Sequence, residues 1–319
     1  EGDSGAYGGS DPLDSSGSLR YVRVQFAGEK INDEDELNGI AFQGVGSGTV
    51  VDYVQVHRNA DDGIEFYGGT VNAKHLVLTD IEDDSVDWTQ GWQGNLQYVL
   101  VDQGSIDEND RGMELDNLEQ NNDAVPRSGG VMANFTLLGA PSELGINPRR
   151  GTSGHFSNFI VTGFSNCLDI DDTATFDVAT AGDLTFSNTI LDCPTTIVEN
   201  DHDTPDPWSV TTWFNDQPGN QNGVNPMLEG VFLPDGSRTA AIDTMTEIWS
   251  GKAPRNRAPA VDRPEIDGPG TVEPGEIIEV RTSVNDPDDD ALEVTWVLRP
   301  EAGDYNTGGD FRAALPAID

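Results

Sequence analysis

The chain reads as all-β, a right-handed parallel β-helix solenoid followed by a small C-terminal β-sandwich. Three observations predict this. Asp61-Asp62-Gly63-Ile64-Glu65-Phe66 returns 22 residues later as Asp83-Asp84-Ser85-Val86-Asp87-Trp88, an internal repeat of solenoid period. Short β-rich segments recur along the chain at intervals near 22 to 24 residues, stretched only where a loop such as Asn117 to Gly129 is inserted. Finally, apolar and polar residues alternate in these segments, and no helical period of 3.6 is evident anywhere in residues 19–200.

In chain order, one set of segments runs Tyr21-Val22-Arg23-Val24, Tyr53-Val54-Gln55-Val56, His75-Leu76-Val77-Leu78, Tyr98-Val99-Leu100-Val101, Asn134-Phe135-Thr136-Leu137, Asn158-Phe159-Ile160-Val161 and Asn188-Thr189-Ile190-Leu191. A second set lies between them: Gly39-Ile40-Ala41-Phe42, Gly63-Ile64-Glu65-Phe66, Ser85-Val86-Asp87-Trp88, Gly112-Met113-Glu114-Leu115, Gly145-Ile146-Asn147-Pro148 and Cys167-Leu168-Asp169-Ile170. One such unit cannot bury its apolar face alone, whereas stacked units pair every strand with its neighbours around a continuous core. A β-propeller needs blades of about 40 or more residues, about twice this period. A lone β-sandwich needs hairpin turns at shorter, regular spacing.

The segments Gly63-Ile64-Glu65-Phe66-Tyr67-Gly68-Gly69, "TVNAKHLVLT" and "RRGTSGHFSNFIVTGF" together resemble secreted bacterial right-handed β-helix proteins of the pectin-lyase-like fold, over roughly residues 5–200. The resemblance implies the fold and a secreted or cell-surface location. It implies no single activity, because such proteins mostly have none assigned. Proteins of this kind usually carry further coils before the "GAYGGSDPLDSSGSLRYVRVQFAG" stretch, so the chain is expected to start partway along its solenoid.

From about residue 201 the repeat fades into a stretch rich in Pro, Asn and Trp, with Trp208, Trp213 and Trp249, which reads as a closing cap. This places the β-helix at residues 1–250, a linker "GKAPRNRAPAVDRP" at about 251–263, and a sandwich module at 264–319. Asn285-Asp286-Pro287-Asp288-Asp289-Asp290 followed by Trp296 resembles the signature of immunoglobulin-like or PKD-like modules, which are often attached to extracellular carbohydrate-active enzymes and adhesins. The sequence stops at Asp319 before such a module would be complete.

Composition narrows the function. With 17 Lys+Arg against 57 Asp+Glu, the net charge of −40 repels nucleic acid and anionic membranes. No apolar run approaches the roughly 18 residues of a membrane span. Acidity spread along the chain suits either saline surroundings or bound divalent cations. Cys167 and Cys193 are the only cysteines, and stand as a disulfide candidate or as two buried thiols.

If Ile64, Phe66, Val86, Trp88, Met113 and Leu115 point inward, then Glu65, Asp87, Glu114 and Asp169 form an outward ladder with Ala41 and Asn147 as neutral rungs. Rungs about 4.8 Å apart repel unless something relieves the charge. Turn acids would stack at one corner in the same way: Asp61, Asp62, Asp83, Asp84, Asp107, Glu108, Asp110, Asp171 and Asp172. Oxygen-only clusters of this kind suit Ca²⁺, with Asp286, Asp288 and Asp290 of the terminal module as further candidate ligands. The plain alternative is a solvated acidic face, or acids that cap turns. His57, His75, His155 and His202 lack the spacing of a transition-metal site.

Enzymes of this fold place their machinery on the outer face. On that basis Glu65, Asp87, Glu114 and Asp169 are candidate acid–base residues. Arg149 and Arg150 are candidates either to pair with substrate carboxylates or to neutralise the ladder. The recognisable catalytic set of a known hydrolase family of this fold is missing. Tyr67, Trp92 and Tyr98 are candidates to stack on sugars, the alternative being core or inter-coil stacking. The expectation is thus a calcium-stabilised, non-catalytic surface protein that binds extracellular polysaccharide or copies of itself. A polysaccharide lyase or glycoside hydrolase is the alternative.

Overall fold

The computed structural model describes residues 7–28, 37–104, 110–140, 144–199, 208–226 and 228, with short stretches at 260–261, 265–267 and 279–285. The chain divides into two compact units, Tyr7–Val231 and a second formed by Glu1–Ala6 with Phe232–Asp319.

The first unit is a parallel β-helix. Long strands β1 (Ser18–Gln25), β3 (Val50–His57), β5 (Asn72–Thr79), β7 (Asn95–Asp102), β9 (Val131–Leu138) and β11 (Gly154–Thr162) lie side by side in that order, each parallel to the next. Short strands β2 (Ile40–Gln43), β4 (Ile64–Tyr67), β6 (Val86–Thr89), β8 (Arg111–Asp116), β10 (Leu144–Arg149), β12 (Asn166–Leu168) and β15 (Thr195–Ile197) build a second parallel sheet. In the last coils the long strand is replaced by β13 (Leu184–Ser187) and β14 (Ile190–Asp192), both paired with β11, and β14 pairs in turn with β16 (Gln221–Asn222).

Each long strand bends once. Tyr21, Tyr53, His75, Tyr98, Asn134, Asn158 and Asn188 all have φ between 51° and 62°, and the hydrogen-bonded register skips from Arg20↔Asp52 to Val22↔Val54 across the bend. Positive φ is costly for residues with a Cβ and least so for Asn. At the aromatic rungs, stacking offsets the cost: Tyr21 on Tyr53, Tyr53 on His75 and His75 on Tyr98 at centroid distances of 4.9, 4.4 and 4.9 Å. Tyr98, a sugar-stacking candidate from the sequence, therefore has a ring partner in the neighbouring coil. At the asparagine rungs, Asn158 Nδ2 donates to Asn134 Oδ1 at 2.5 Å.

The alternation expected in the short strands is present, since Ile64, Phe66, Val86, Trp88, Met113 and Leu115 are all fully buried. Inside, an aromatic column runs along the solenoid: Phe42 on Phe66, Phe66 on Trp92, Trp92 on Trp88, Trp88 on Phe156, and Phe156 on Phe186. The glycine repeated at the start of four short strands (Gly39, Gly63, Gly112 and Gly145) is a packing requirement. A Cβ at Gly63 would lie 2.6 Å from the Ser85 carbonyl oxygen, and one at Gly112 would lie 2.5 Å from that of Gly145.

Two features differ from the sequence reading. Thr173–Ala181 forms a helix, α1, inside the span that showed no helical period. Its buried residues Thr175, Phe176, Val178 and Ala179 do follow helical spacing, but nine residues are too few for that pattern to stand out. Trp92 is fully buried in the aromatic column, with Nε1 donating to the Val71 carbonyl at 3.2 Å, so it cannot stack on a sugar. Three residues past the end of β6, Trp92 packs against Phe66 and Trp88, and Gly94 leaves it the space, since a Cβ there would lie 2.4 Å from the indole.

Trp208 and Trp213, with helix α2 (Val210–Asn215), cover the end of the solenoid against Phe176 and Phe186. Cys167 and Cys193 form a disulfide, with S–S 1.96 Å. In the second unit, β17 (Ala260–Val261) pairs antiparallel with β20 (Val284–Asn285), and β18 (Glu265–Asp267) with β19 (Glu279–Arg281). The first of these strands falls within the segment read as a linker. Trp249, Trp296, Asp107, Glu108, Asp286, Asp288 and Asp290 lie outside the described residues.

Candidate acidic site on the short-strand sheet

Parallel pairing puts Ala41, Glu65, Asp87, Glu114 and Asn147 in one register column across β2, β4, β6, β8 and β10. Immediately before these strands, the turns stack. Gly63 N donates to the Asp84 carbonyl at 2.8 Å, and the Asp84 amide donates to Asp62 Oδ1 at 3.1 Å. The two copies of the Asp-Asp phrase are thus successive rungs of one corner.

Corner and ladder merge into a single cluster. Asp61, Asp62 and Asp83 bring ligand oxygens within 4.8 Å of one another, as do Asp62, Glu65 and Asp87, and Asp83, Asp84 and Asp110. Asp62, Glu65 and Asp84 are 7%, 6% and 5% exposed. Burial, then the neighbouring negative charges, push Asp62 and Asp87 well above the usual carboxylate range. Asp84 is raised likewise, by burial and then Glu114, with Arg111 opposing. Glu65 is raised by burial against hydrogen bonds from Tyr67, Asn38, Asp87 and Asp62 that act the other way. Carboxyls bonded to carboxyls in this way share protons.

Positive charge reaches only one side. Arg111 pairs with Asp110, with Glu114 at 2.8 Å and with Asp84 at 3.8 Å. Arg149 pairs with Glu114 and with Asp116 at 2.8 Å, and Arg150 with Asp116 at 2.6 Å and Glu119 at 3.2 Å. Among the described residues, Asp62, Glu65 and Asp87 have no ion pair with Lys or Arg. Oδ1 of Asp84 and Oδ1 of Asp87 accept no hydrogen bond. Orphaned acceptors beside mutually repelling carboxylates, with oxygen as the only donor type, fit a hard divalent cation such as Ca²⁺.

Other residues singled out by the sequence lie elsewhere or act differently. Asp171 Oδ2 accepts from Asn147 Nδ2 at 3.0 Å and Asp172 Oδ2 from the Arg150 amide at 2.7 Å, so both serve hydrogen bonds in later coils rather than the cluster. Asp169 continues the column beyond Asn147, its amide donating to the Ile146 carbonyl. Tyr67 is half-buried; its hydroxyl is hydrogen-bonded to Glu65 and its ring meets Tyr7 edge-on at 6.3 Å. Burial and the Glu65 charge raise that hydroxyl far above the ordinary tyrosine value. The sequence reading missed Arg111 and Asn38. Arg111 stands one residue ahead of the Gly-Met-Glu-Leu phrase, at the position that Asn38, Asp62 and Asp84 fill in the three preceding phrases, and that change of sign was the available signal.

No helix among the described residues is long and apolar enough to cross a membrane. No curated protein and no solved structure matches the chain. The family model for a pectate-lyase-like β-helix domain matches residues 2–227, the span of the stacked coils and their cap. By that match, and by the parallel coils that bear it out, the chain belongs to the pectate-lyase-like β-helix family.

Proposed function

We propose that the protein is an extracellular β-helix that holds Ca²⁺ in its acidic cluster and binds glycans without cleaving them. The observation that carries the proposal is the Asp62, Glu65, Asp87 group, three carboxylates gathered within 4.8 Å of one another and without an ion-paired arginine or lysine. A bound cation would cancel their repulsion and occupy the orphaned Asp87 oxygen. Extracellular placement is supported by the family, by the disulfide and by the acidic composition.

Against turnover stands the state of the candidate bases. Arg149 and Arg150 are both tied to Asp116, and Arg149 also to Glu114; burial acts to lower the Arg149 guanidinium, but this pairing outweighs it and holds Arg149 above its ordinary value. A guanidinium held in this way neutralises the ladder and is poorly placed to take a proton from a sugar carbon. One observation favours the second reading, hydrolysis. Glu65 and Asp87 are close carboxyls, and a retaining glycosidase uses a pair about 5 Å apart, one an acid of raised proton affinity and the other ionised.

The test is melting in excess chelator and in millimolar Ca²⁺ at fixed ionic strength. It is joined to incubation with acidic and neutral polysaccharides, monitored at 235 nm and for new reducing ends. A calcium-dependent rise in Tm with binding but no turnover is expected. Equal melting temperatures would remove the cation, and turnover lost in Glu65→Gln would establish hydrolysis.

A further inference from the structure

We infer a second Ca²⁺ site at the same corner, built by Asp83, Asp84 and Asp110 and sharing no ligand with the Asp62, Glu65 and Asp87 group of the proposed function. Asp83 and Asp84 stand in the turn between β5 and β6, and Asp110 immediately precedes β8, so two successive coils contribute. The three bring oxygens within 4.8 Å of one another. Acids close together do not by themselves make a site, and the observation that points to a ligand is Asp84. It is 5% exposed, and its Oδ1 is sealed from solvent without accepting a hydrogen bond from any described residue. A carboxylate oxygen cut off from both water and donors carries the full cost of its desolvation unless a cation meets it. Arg111 does not meet it: its Nη1 donates to Asp110 Oδ2 and lies 3.8 Å from Asp84 Oδ2, holding the other oxygen of the Asp84 carboxylate. Carboxylates that ligate a metal are themselves held by hydrogen bonds of this kind.

Spacing and charge select the occupant. Oxygens this close can meet one Ca²⁺ at its usual distance of about 2.3 to 2.6 Å. A water in its place needs about 2.8 Å to each oxygen, and it has two hydrogens for three acceptors and no charge to set against theirs. Three carboxylates, the single positive charge of Arg111 and a divalent cation sum to zero. The Asp110 side chain is 54% exposed, which gives the ion an entrance and leaves room for waters to complete a shell of about six to eight oxygens. The consequence is a clamp. The Asp62, Glu65 and Asp87 group links the coils of β4 and β6, and the second group links those of β6 and β8, so two ions in line tie three successive coils where like charges otherwise push them apart.

The test counts the Ca²⁺ bound by the full chain in equilibrium dialysis and follows hydrogen exchange of β4 and β8 with and without the ion. Asp110→Asn and Asp84→Asn should each bind one Ca²⁺ fewer than the parent and lose the calcium-dependent protection of β8 while keeping that of β4. Asp87→Asn should also bind one fewer, but lose the protection of β4, and the Asp87→Asn, Asp110→Asn double variant should bind two fewer. Asp110 is exposed, so its variant should keep the circular dichroism of the parent and carry the count even where Asp84→Asn fails to fold. The parent's stoichiometry in Asp110→Asn would overturn the inference, and one ion lost in Asp87→Asn alone would leave the proposed function standing without it. Loss of both ions in Asp110→Asn would show a single shared site and overturn the inference too. A parent count in Asp87→Asn with one ion lost in Asp110→Asn would uphold the second site and remove the first.

Discussion

Asp87 illustrates how the same side chain can be a liability without metal and an asset with it. Half-buried and set among Asp62, Glu65, Asp84 and Glu114, its charge is penalised by desolvation and by like charges. Asp87→Asn should therefore raise Tm in chelator, by a few degrees, and reduce the increase in Ca²⁺. For the parent, a cation at a hundredfold excess over its Kd stabilises by about 2.7 kcal/mol, which corresponds to a rise of about 5 to 10 °C for a unit of this size. A variant that melts lower in chelator would contradict this account. Trp88 makes the opposite kind of case, an indole whose Nε1 donates to Thr152 Oγ1 at 2.9 Å inside the core. Thr152→Val should cost about 1 to 3 kcal/mol by orphaning that donor, measurable by urea denaturation.

At the scale of elements, the β8–β10 step holds the ladder together through Arg149, which ties Glu114 and Asp116 of β8 to β10. Arg149→Ala leaves Glu114 to Arg111 alone and Asp116 to Arg150 alone, and should destabilise by about 2 kcal/mol through the lost charged hydrogen bonds; a smaller loss in millimolar Ca²⁺ would show that a cation can take its place. Helix α2 is held by Glu199, whose carboxylate accepts from Ser209 Oγ and from the amides of Val210 and Thr211. These hydrogen bonds, opposed by partial burial, lower its proton affinity. A depressed carboxylate contributes stability above its unfolded value that is lost as pH falls, so the cap should loosen first in acid. The cluster carboxylates are raised, and in chelator their contribution runs the other way, increasing as pH falls. Hydrogen exchange of α2 and of β4 in chelator across pH 4 to 8 should show the two trends crossing.

For the whole unit, Cys167–Cys193 closes a loop over a sequence separation of 26. Constraint of the unfolded chain at that length is worth about 3.5 kcal/mol in the chain-entropy description. Reduction should lower Tm measurably, and more in chelator than in Ca²⁺ if the cation and the disulfide both secure the stacked coils. Much of this architecture was legible in sequence. The Asp-Asp-Gly-Ile-Glu-Phe phrase and its copy gave the period, and alternation around Ile64, Phe66, Val86 and Trp88 gave the inward face. Trp92 and the α1 segment were not legible, because one residue past a strand end and nine residues of helix carry too little periodicity to show direction.

The sequence by itself determined the coil, the inward face and the ladder column, because in a parallel stack a repeat of fixed length puts equivalent residues one above another. Tertiary structure alone decided which acids meet cations and which meet only one another. That outcome depends on which carboxylates of neighbouring coils Arg111 of β8, Arg149 of β10 and the adjoining Arg150 reach, and on how deeply each rung is buried, neither of which has a sequence period. The close backbone packing at three stacked glycines has the same origin. Gly94, Gly130 and Gly154 sit at unequal intervals along the chain, and only their stacking across three coils makes them neighbours.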